Sequence, residues 1–111
     1  MRLGTIELFC ADVHDTRDFY LNVLGFASVE EDDTIQLSLG TVCLTLKQGR
    51  QKQPGPYECT RTALVLLASN RPALLISLKE MEIPHQFDDA DPPGILVQDP
   101  DRRWIHIVEP C

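Results

Sequence analysis

Asp12-Val13 opens a helix-like run that closes on Leu24-Gly25-Phe26, and Asn70-Arg71 opens a second that closes on Met81-Glu82-Ile83. The offset is 58 residues between Asp12 and Asn70 and 57 between Phe26 and Ile83. Each run follows one apolar strand-like stretch and precedes two or three more. A chain of 111 residues built from two equivalent halves forms its interior at their junction, so a binding site is expected there.

A length of 111 residues predicts a single domain, 1–111, large enough to bury a core without disulfide or metal staples. The apolar share of 43% against 24% charged residues argues for a folded chain, because burial offsets the entropy of ordering. No apolar run approaches the roughly 20 residues that span a bilayer. The formal charge of −7 disfavours nucleic acid, whose phosphates need a basic footprint; it leaves open attraction of cationic small molecules, or simply keeps the surface soluble. Cys10, Cys43, Cys59 and Cys111 show no CxxC spacing, and the N-terminus lacks the basic and apolar blocks of a secretion signal. These features predict reduced thiols in a cytoplasmic protein.

The periodicity predicts a strand over Thr5–Cys10, a helix over Val13–Leu24 capped by Asp12 or Asp15, and strands over Phe26–Glu30, Thr34–Leu39 and Thr41–Leu46. After the join the pattern restarts. A strand is expected over Thr62–Leu67, a helix over Arg71–Met81, and strands over Ile83–Phe87, Gly94–Gln98 and Trp104–Val108. The join carries Pro54-Gly55-Pro56 and four of the ten basic residues (Lys47, Arg50, Lys52, Arg61). The expected organisation is module 1 over 1–47, a linker over 48–61 and module 2 over 62–111. The fold class is α+β. Two βαβββ modules would form an open eight-stranded mixed half-barrel with both helices on its outer face.

Strand alternation assigns Ile6, Leu8, Ile35, Leu37, Ile105 and Ile107 to the face under the helices. The concave face would then carry Thr5, Glu7, Phe9, Gln36, Ser38, Cys43, Thr45, Ala63, Val65, Gln98, Trp104 and His106. Polar groups converging on an apolar sheet are what a small-molecule pocket requires. Glu7 stands out as a carboxylate inside an apolar strand, where it must face a cavity, meet an Arg or His, or bind a cation. Cys43 reads as a small buried apolar residue, since no base or cation nearby activates it. The acidic turns Glu30-Glu31-Asp32-Asp33 and Asp88-Asp89-Asp91 read as solvated hairpins without the ligand spacing of a calcium loop.

The opening Ile6-Glu7-Leu8-Phe9-Cys10-Ala11-Asp12-Val13, with Phe19-Tyr20 and Leu24-Gly25-Phe26, resembles the vicinal-oxygen-chelate superfamily. That group includes glyoxalase I, the bleomycin-resistance proteins and the extradiol dioxygenases. The closing Asp99-Pro100-Asp101 and Trp104-Ile105-His106-Ile107-Val108-Glu109-Pro110 are similar to its last turn and strand, with Arg102 where the family usually has glycine. The resemblance implies a homodimer whose pocket lies at or near the subunit contact. It also implies four metal positions, which fall here on Thr5, Cys43 (or Thr45), Ala63 and His106. Ala63 cannot coordinate and Thr5 is a poor ligand, so no metal and no other cofactor is expected.

The leading expectation is a metal-free small-molecule binder of the glyoxalase and bleomycin-resistance kind, sequestering a cationic or amphipathic compound such as a basic antibiotic. Phe9, Gln36, Ser38, Cys43, Gln98 and Trp104 would line the site. The alternative is a glyoxalase-type lyase or isomerase with Glu7 as base and His106 as electrophilic stabiliser, an imidazole being suited to acid/base work. If Glu7 and His106 meet, they form a base/orienter pair, or with Cys43 a makeshift metal site. An extradiol dioxygenase would need two His and one carboxylate, a set that is missing, and an interaction module with a vestigial pocket is a third class.

Overall fold

The computed structural model describes residues 1–31, 34–49, 63–88 and 93–110. The expected turn at 32–33, the linker from residue 50 onward, the acidic residues of 89–92, Cys59 and Cys111 lie outside the described residues. The chain divides into two compact units, Met1–Lys52 and Gln53–Cys111. Each carries one βαβββ module. The first is β1 (Ile6–Cys10), α1 (Val13–Asn22), β2 (Ala27–Glu31), β3 (Thr34–Leu39) and β4 (Val42–Gln48). The second is β5 (Leu64–Leu67), α2 (Arg71–Glu80), β6 (Gln86–Asp88), β7 (Gly94–Gln98) and β8 (Trp104–Val108).

The eight strands form two four-stranded mixed sheets, ordered β1-β4-β3-β2 and β5-β8-β7-β6. In each, the first strand pairs in parallel with the last, and the remaining pairs are antiparallel. A parallel partner cannot follow through a tight hairpin, so the helix must carry the chain across one face of the sheet. The α+β class and the doubled βαβββ pattern are therefore those the repeat predicts.

Alternation places Leu8, Cys10, Ile35, Leu37, Leu44 and Leu46 on the α1 side of the first sheet, and all six are buried. Leu37 and Leu44 are wholly enclosed, and burial of each stabilises the fold by roughly 1.5–3 kcal/mol. Tyr20 of α1, also wholly buried, meets Phe19 and Phe26 edge to face at centroid distances of 5.9 and 5.3 Å. Arg17 ties α1 to β2 through Glu30 at 2.5 Å and also meets Asp18 at 3.0 Å. These hydrogen bonds, Glu30 first, hold the Arg17 guanidinium above its ordinary pKa.

Of the two candidate caps, Asp12 is the one used: its Oδ1 accepts from the backbone N–H groups of His14 (2.9 Å) and Asp15 (3.3 Å). Asn70 plays the same part for α2 by accepting from Ala73 N–H at 3.0 Å, with Pro72 in the first turn. The repeat extends to the helix ends. Gly25 has φ +79°, and its counterpart Glu82 has φ +57°. After α2 the Ile83 N–H bonds to Leu78 C=O (2.8 Å) and Glu82 N–H to Lys79 C=O (3.1 Å), a Schellman closure with glutamate at the left-handed position. That closure occupies Ile83, so the strand expected from Ile83 begins only at Gln86. β4 conversely continues to Gln48, into the expected linker, because Phe9 and Cys10 pair with Lys47 and Gln48.

The last hairpins match in the same way: Gly40 has φ +61°, and Arg102 has φ +62°. Module 1 uses glycine at both left-handed sites, and module 2 uses side-chain-bearing residues at both. Glu82→Gly and Arg102→Gly should each stabilise the fold by about 0.5–1 kcal/mol. That is the left-handed penalty of roughly 1–2 kcal/mol less the unfolded-state entropy of glycine. Urea unfolding should show midpoints moved upward with unchanged slopes, and unchanged midpoints would show that the strain is compensated.

Candidate functional site

In module 1 the register sets Glu7, Thr45 and Gln36 on one rung, Phe9 beside Lys47 on the next, and Cys43 beside Ser38 on the one before. All the site residues expected from this half therefore share the sheet face opposite α1. They do not form an enclosed site. The Glu7 carboxylate lies 2.6 Å from Lys47 Nζ, with both side chains about half exposed (46% and 50%). Such a pair is worth about 0–1 kcal/mol, and the anomaly of a charge in an apolar strand disappears, because Glu7 occupies the solvated side. Phe9 is 46% exposed, and its ring lies against Gly49, where an added Cβ would come within 3.0 Å of Cδ1. Cys43 is exposed, which corrects the expectation of a buried apolar role; among the described residues the buried thiol is Cys10, whose Sγ–H points at Leu8 C=O at 3.5 Å.

Module 2 differs. Leu96, Trp104, His106 and Val108 lie on the sheet face opposite to Ile95, Ile105 and Ile107, yet are only 6–7% exposed. His106 Nε2 lies 3.3 Å from Asp88 Oδ2, reaching from β8 to β6 with β7 between them. Gly94 of β7 makes this reach possible. A Cβ there would stand 2.3 Å from His106 Nε2 and 2.7 Å from Cδ2, so the imidazole lies over the glycine. Asp88, expected as part of a solvated turn, is thus the carboxylate facing His106. Each of the two residues expected to be catalytic faces a charged side chain within its own module: Lys47 for Glu7 and Asp88 for His106.

Trp104 and Gln98 are paired across β7 and β8 and border a cavity of about 220 Å³, together with Pro84, His85, Gln86 and Leu96. The turn before Trp104 is firmly held. The buried Asp99 carboxylate accepts from the backbone N–H groups of Asp101 and Arg103, both at 2.9 Å, and pairs with the Arg103 guanidinium. Gln98 Nε2 donates to Arg102 C=O at 3.0 Å, which pins that side chain to the same turn.

The metal that the resemblance implies does not suit the donors at these positions. Thr5 Oγ1–H donates to Cys43 C=O at 3.0 Å, and Thr45 then donates to Thr5 Oγ1 at 3.0 Å, so the two hydroxyls satisfy one another. Ala63 has no donor atom. Among the described residues no group of three or more His, Cys, Asp or Glu side chains is placed to hold a metal ion.

No protein-family model matches the sequence, and no curated protein does either. Solved structures do match. A virulence protein from Salmonella typhimurium is 21% identical, with a TM-score of 0.76 over 100% of this chain and 98% of that one. Lactoylglutathione lyase from Agrobacterium tumefaciens is 15% identical, with a TM-score of 0.73 over 97% of this chain and 92% of that one. The fosfomycin-resistance protein FosX from Mesorhizobium loti is 10% identical, with a TM-score of 0.78 over 99% and 92%. These likenesses give the chain the glyoxalase-like α+β fold, consistent with the vicinal-oxygen-chelate resemblance. At such identities they speak for the fold alone, and chemistry has to be argued from the site.

Sequence reasoning missed Asp88, Gly94, His85, Gln86 and Leu96. The one available signal was Gly94 at the head of a strand, which marks a close approach as readily as a strand start. Gly94→Ala should destabilise the protein by about 2–3 kcal/mol through overpacking. Adding His106→Ala should recover roughly 1 kcal/mol of that, whereas in the wild-type background it should stabilise nothing. Denaturant midpoints of the four proteins in this cycle measure the coupling, and strictly additive effects would dissociate the glycine from the imidazole.

Proposed function

We propose that this protein binds a small organic molecule in the module 2 cavity, without the metal of its superfamily. The observation that carries this reading is that Trp104 and Gln98 border one cavity with Leu96, on a sheet face whose neighbouring residues are buried. Trp104 supplies an aromatic wall and Gln98 a fixed amide, the combination of apolar surface and few polar groups that ligand sites use. The charge of −7 favours a cationic or amphipathic ligand. In this reading Phe9, Gln36, Ser38 and Cys43 supply a more open and polar contact surface on module 1. The protein acts as a cytoplasmic homodimer that holds its ligand rather than turning it over. Resistance through sequestration would suit that behaviour.

One observation favours a second reading, a lyase or isomerase. The Asp88–His106 pair is an imidazole beside a carboxylate, and such a pair can move a proton to or from a bound carbonyl compound. Here His106 is the proton carrier and Asp88 its orienter, and Glu7 is no longer the obvious base because it is exposed and paired with Lys47.

A thermal-shift screen of cationic and amphipathic compounds, with and without chelator, separates these readings. Binding should raise the midpoint in both conditions, with about 2.7 kcal/mol of added stability at a hundredfold excess over Kd. Zinc, nickel or iron titrated by calorimetry should give no heat beyond dilution. Retention of a stoichiometric divalent ion through purification, with its removal abolishing ligand binding, would reject the metal-free reading. Turnover of thiol–aldehyde adducts that is lost in His106→Ala would favour the enzyme.

A further inference from the structure

The polarity of the module 2 cavity follows from two hydrogen bonds made by its own walls. Gln98 Nε2 donates to Arg102 C=O at 3.0 Å. A carbonyl only accepts, so the amide orientation is set by its partner, and Oε1 remains as the acceptor end. His85 Nδ1 lies 3.0 Å from Ile83 C=O, again an acceptor only, so Nδ1 carries the hydrogen and Nε2 of the neutral ring accepts. The His85 ring is further held edge-on to Phe87 (centroids 5.9 Å apart, planes at 87°), against which Arg71 stacks at 5.7 Å. Two of the polar side chains bordering the cavity thus offer acceptors by construction. Asp88 adds a negative group on the same sheet face, two residues on from Gln86 and so roughly 7 Å along the strand.

We propose that this cavity takes a planar, cationic hydrogen-bond donor (an amidine, guanidine or amino-heterocycle) between Trp104 and the acceptors Gln98 Oε1 and His85 Nε2. The proposal rests on the small-molecule-binding reading above and gives it a ligand class. Indole faces attract cations, and Leu96 and Pro84 supply apolar contact for the rest of a ring. The volume of about 220 Å³ suits one ring system, being smaller than the cavities that hold drug-sized ligands. Anions and acceptor-only rings would gain no hydrogen bond from Gln98 Oε1 or His85 Nε2.

Three probes of one shape test this: benzamidine, benzoate and toluene. Trp104 is the only tryptophan in the chain, so its fluorescence reports the site directly, with backbone amide shifts of Gly94–Gln98 as a second readout. About 0.5 M salt in the assay screens long-range attraction to the acidic surface. Benzamidine should bind at least tenfold more tightly than benzoate or toluene, as expected for one or two added hydrogen bonds. Gln98→Met and His85→Leu should each weaken benzamidine by about tenfold while leaving toluene unchanged, and the toluene signal also shows that the cavity remains folded. Equal binding of benzoate or toluene and benzamidine, or unchanged benzamidine affinity in both variants, overturns the donor assignment and leaves the cavity reading standing. Failure of every probe to perturb Trp104 overturns both.

Discussion

Parallel pairing of the first and last strands of each module is the constraint on which the rest depends. β1 lies beside β4 and β5 beside β8, and neither pair can be joined by a hairpin. Each helix must therefore cross one face of its sheet, which commits that face to Leu8, Leu37, Leu44 and their counterparts Ile95, Ile105 and Ile107. The opposite face is left for chemistry. Every candidate residue, from Glu7 to His106, occupies that face because the strand period of two leaves it nowhere else to point.

The modules share topology and divide the work unequally. Module 1 meets its two left-handed positions with Gly25 and Gly40, and its polar face, with Glu7, Gln36 and Cys43, stays open. Module 2 meets the same positions with Glu82 and Arg102, and its corresponding face carries buried Trp104 and His106. Backbone strain and side-chain enclosure therefore occur in the same half. Gly94 belongs to that pattern: it gives up a side chain in a strand interior, and the space admits an imidazole that reaches Asp88 over an intervening strand. Strained or depleted positions near a pocket are where local rules yield to a site's geometry.

Much of the fold was legible. The helix cap at Asp12 or Asp15, the glycine end at Gly25 and the alternating strands around Leu37 and Ile105 are local signals, and the 57–58-residue offset made each half a check on the other. Arg102, which stands where the resembling family usually has glycine and left the type of turn open, takes a positive φ. The candidate site was legible only as a face. Trp104 and Gln98 were singled out and do border the cavity, but Asp88 looked like one acid among several in a turn, and His85 and Gln86 fell inside a strand expected to start at Ile83.

The sequence alone determined which residues share a side of each sheet, because side-chain direction follows from a backbone period that needs no knowledge of distant contacts. It also determined that Ala63, one of the four metal positions the resemblance implies, offers no donor atom, since an alanine cannot coordinate wherever it lies. Only tertiary structure decided which side chains meet: Lys47 with Glu7 and Asp88 with His106. It alone decided which acceptors Gln98 and His85 present. Such pairings depend on strand register and on the absence of a single Cβ at Gly94, distances of a few ångströms that no pattern of residue types along a chain encodes.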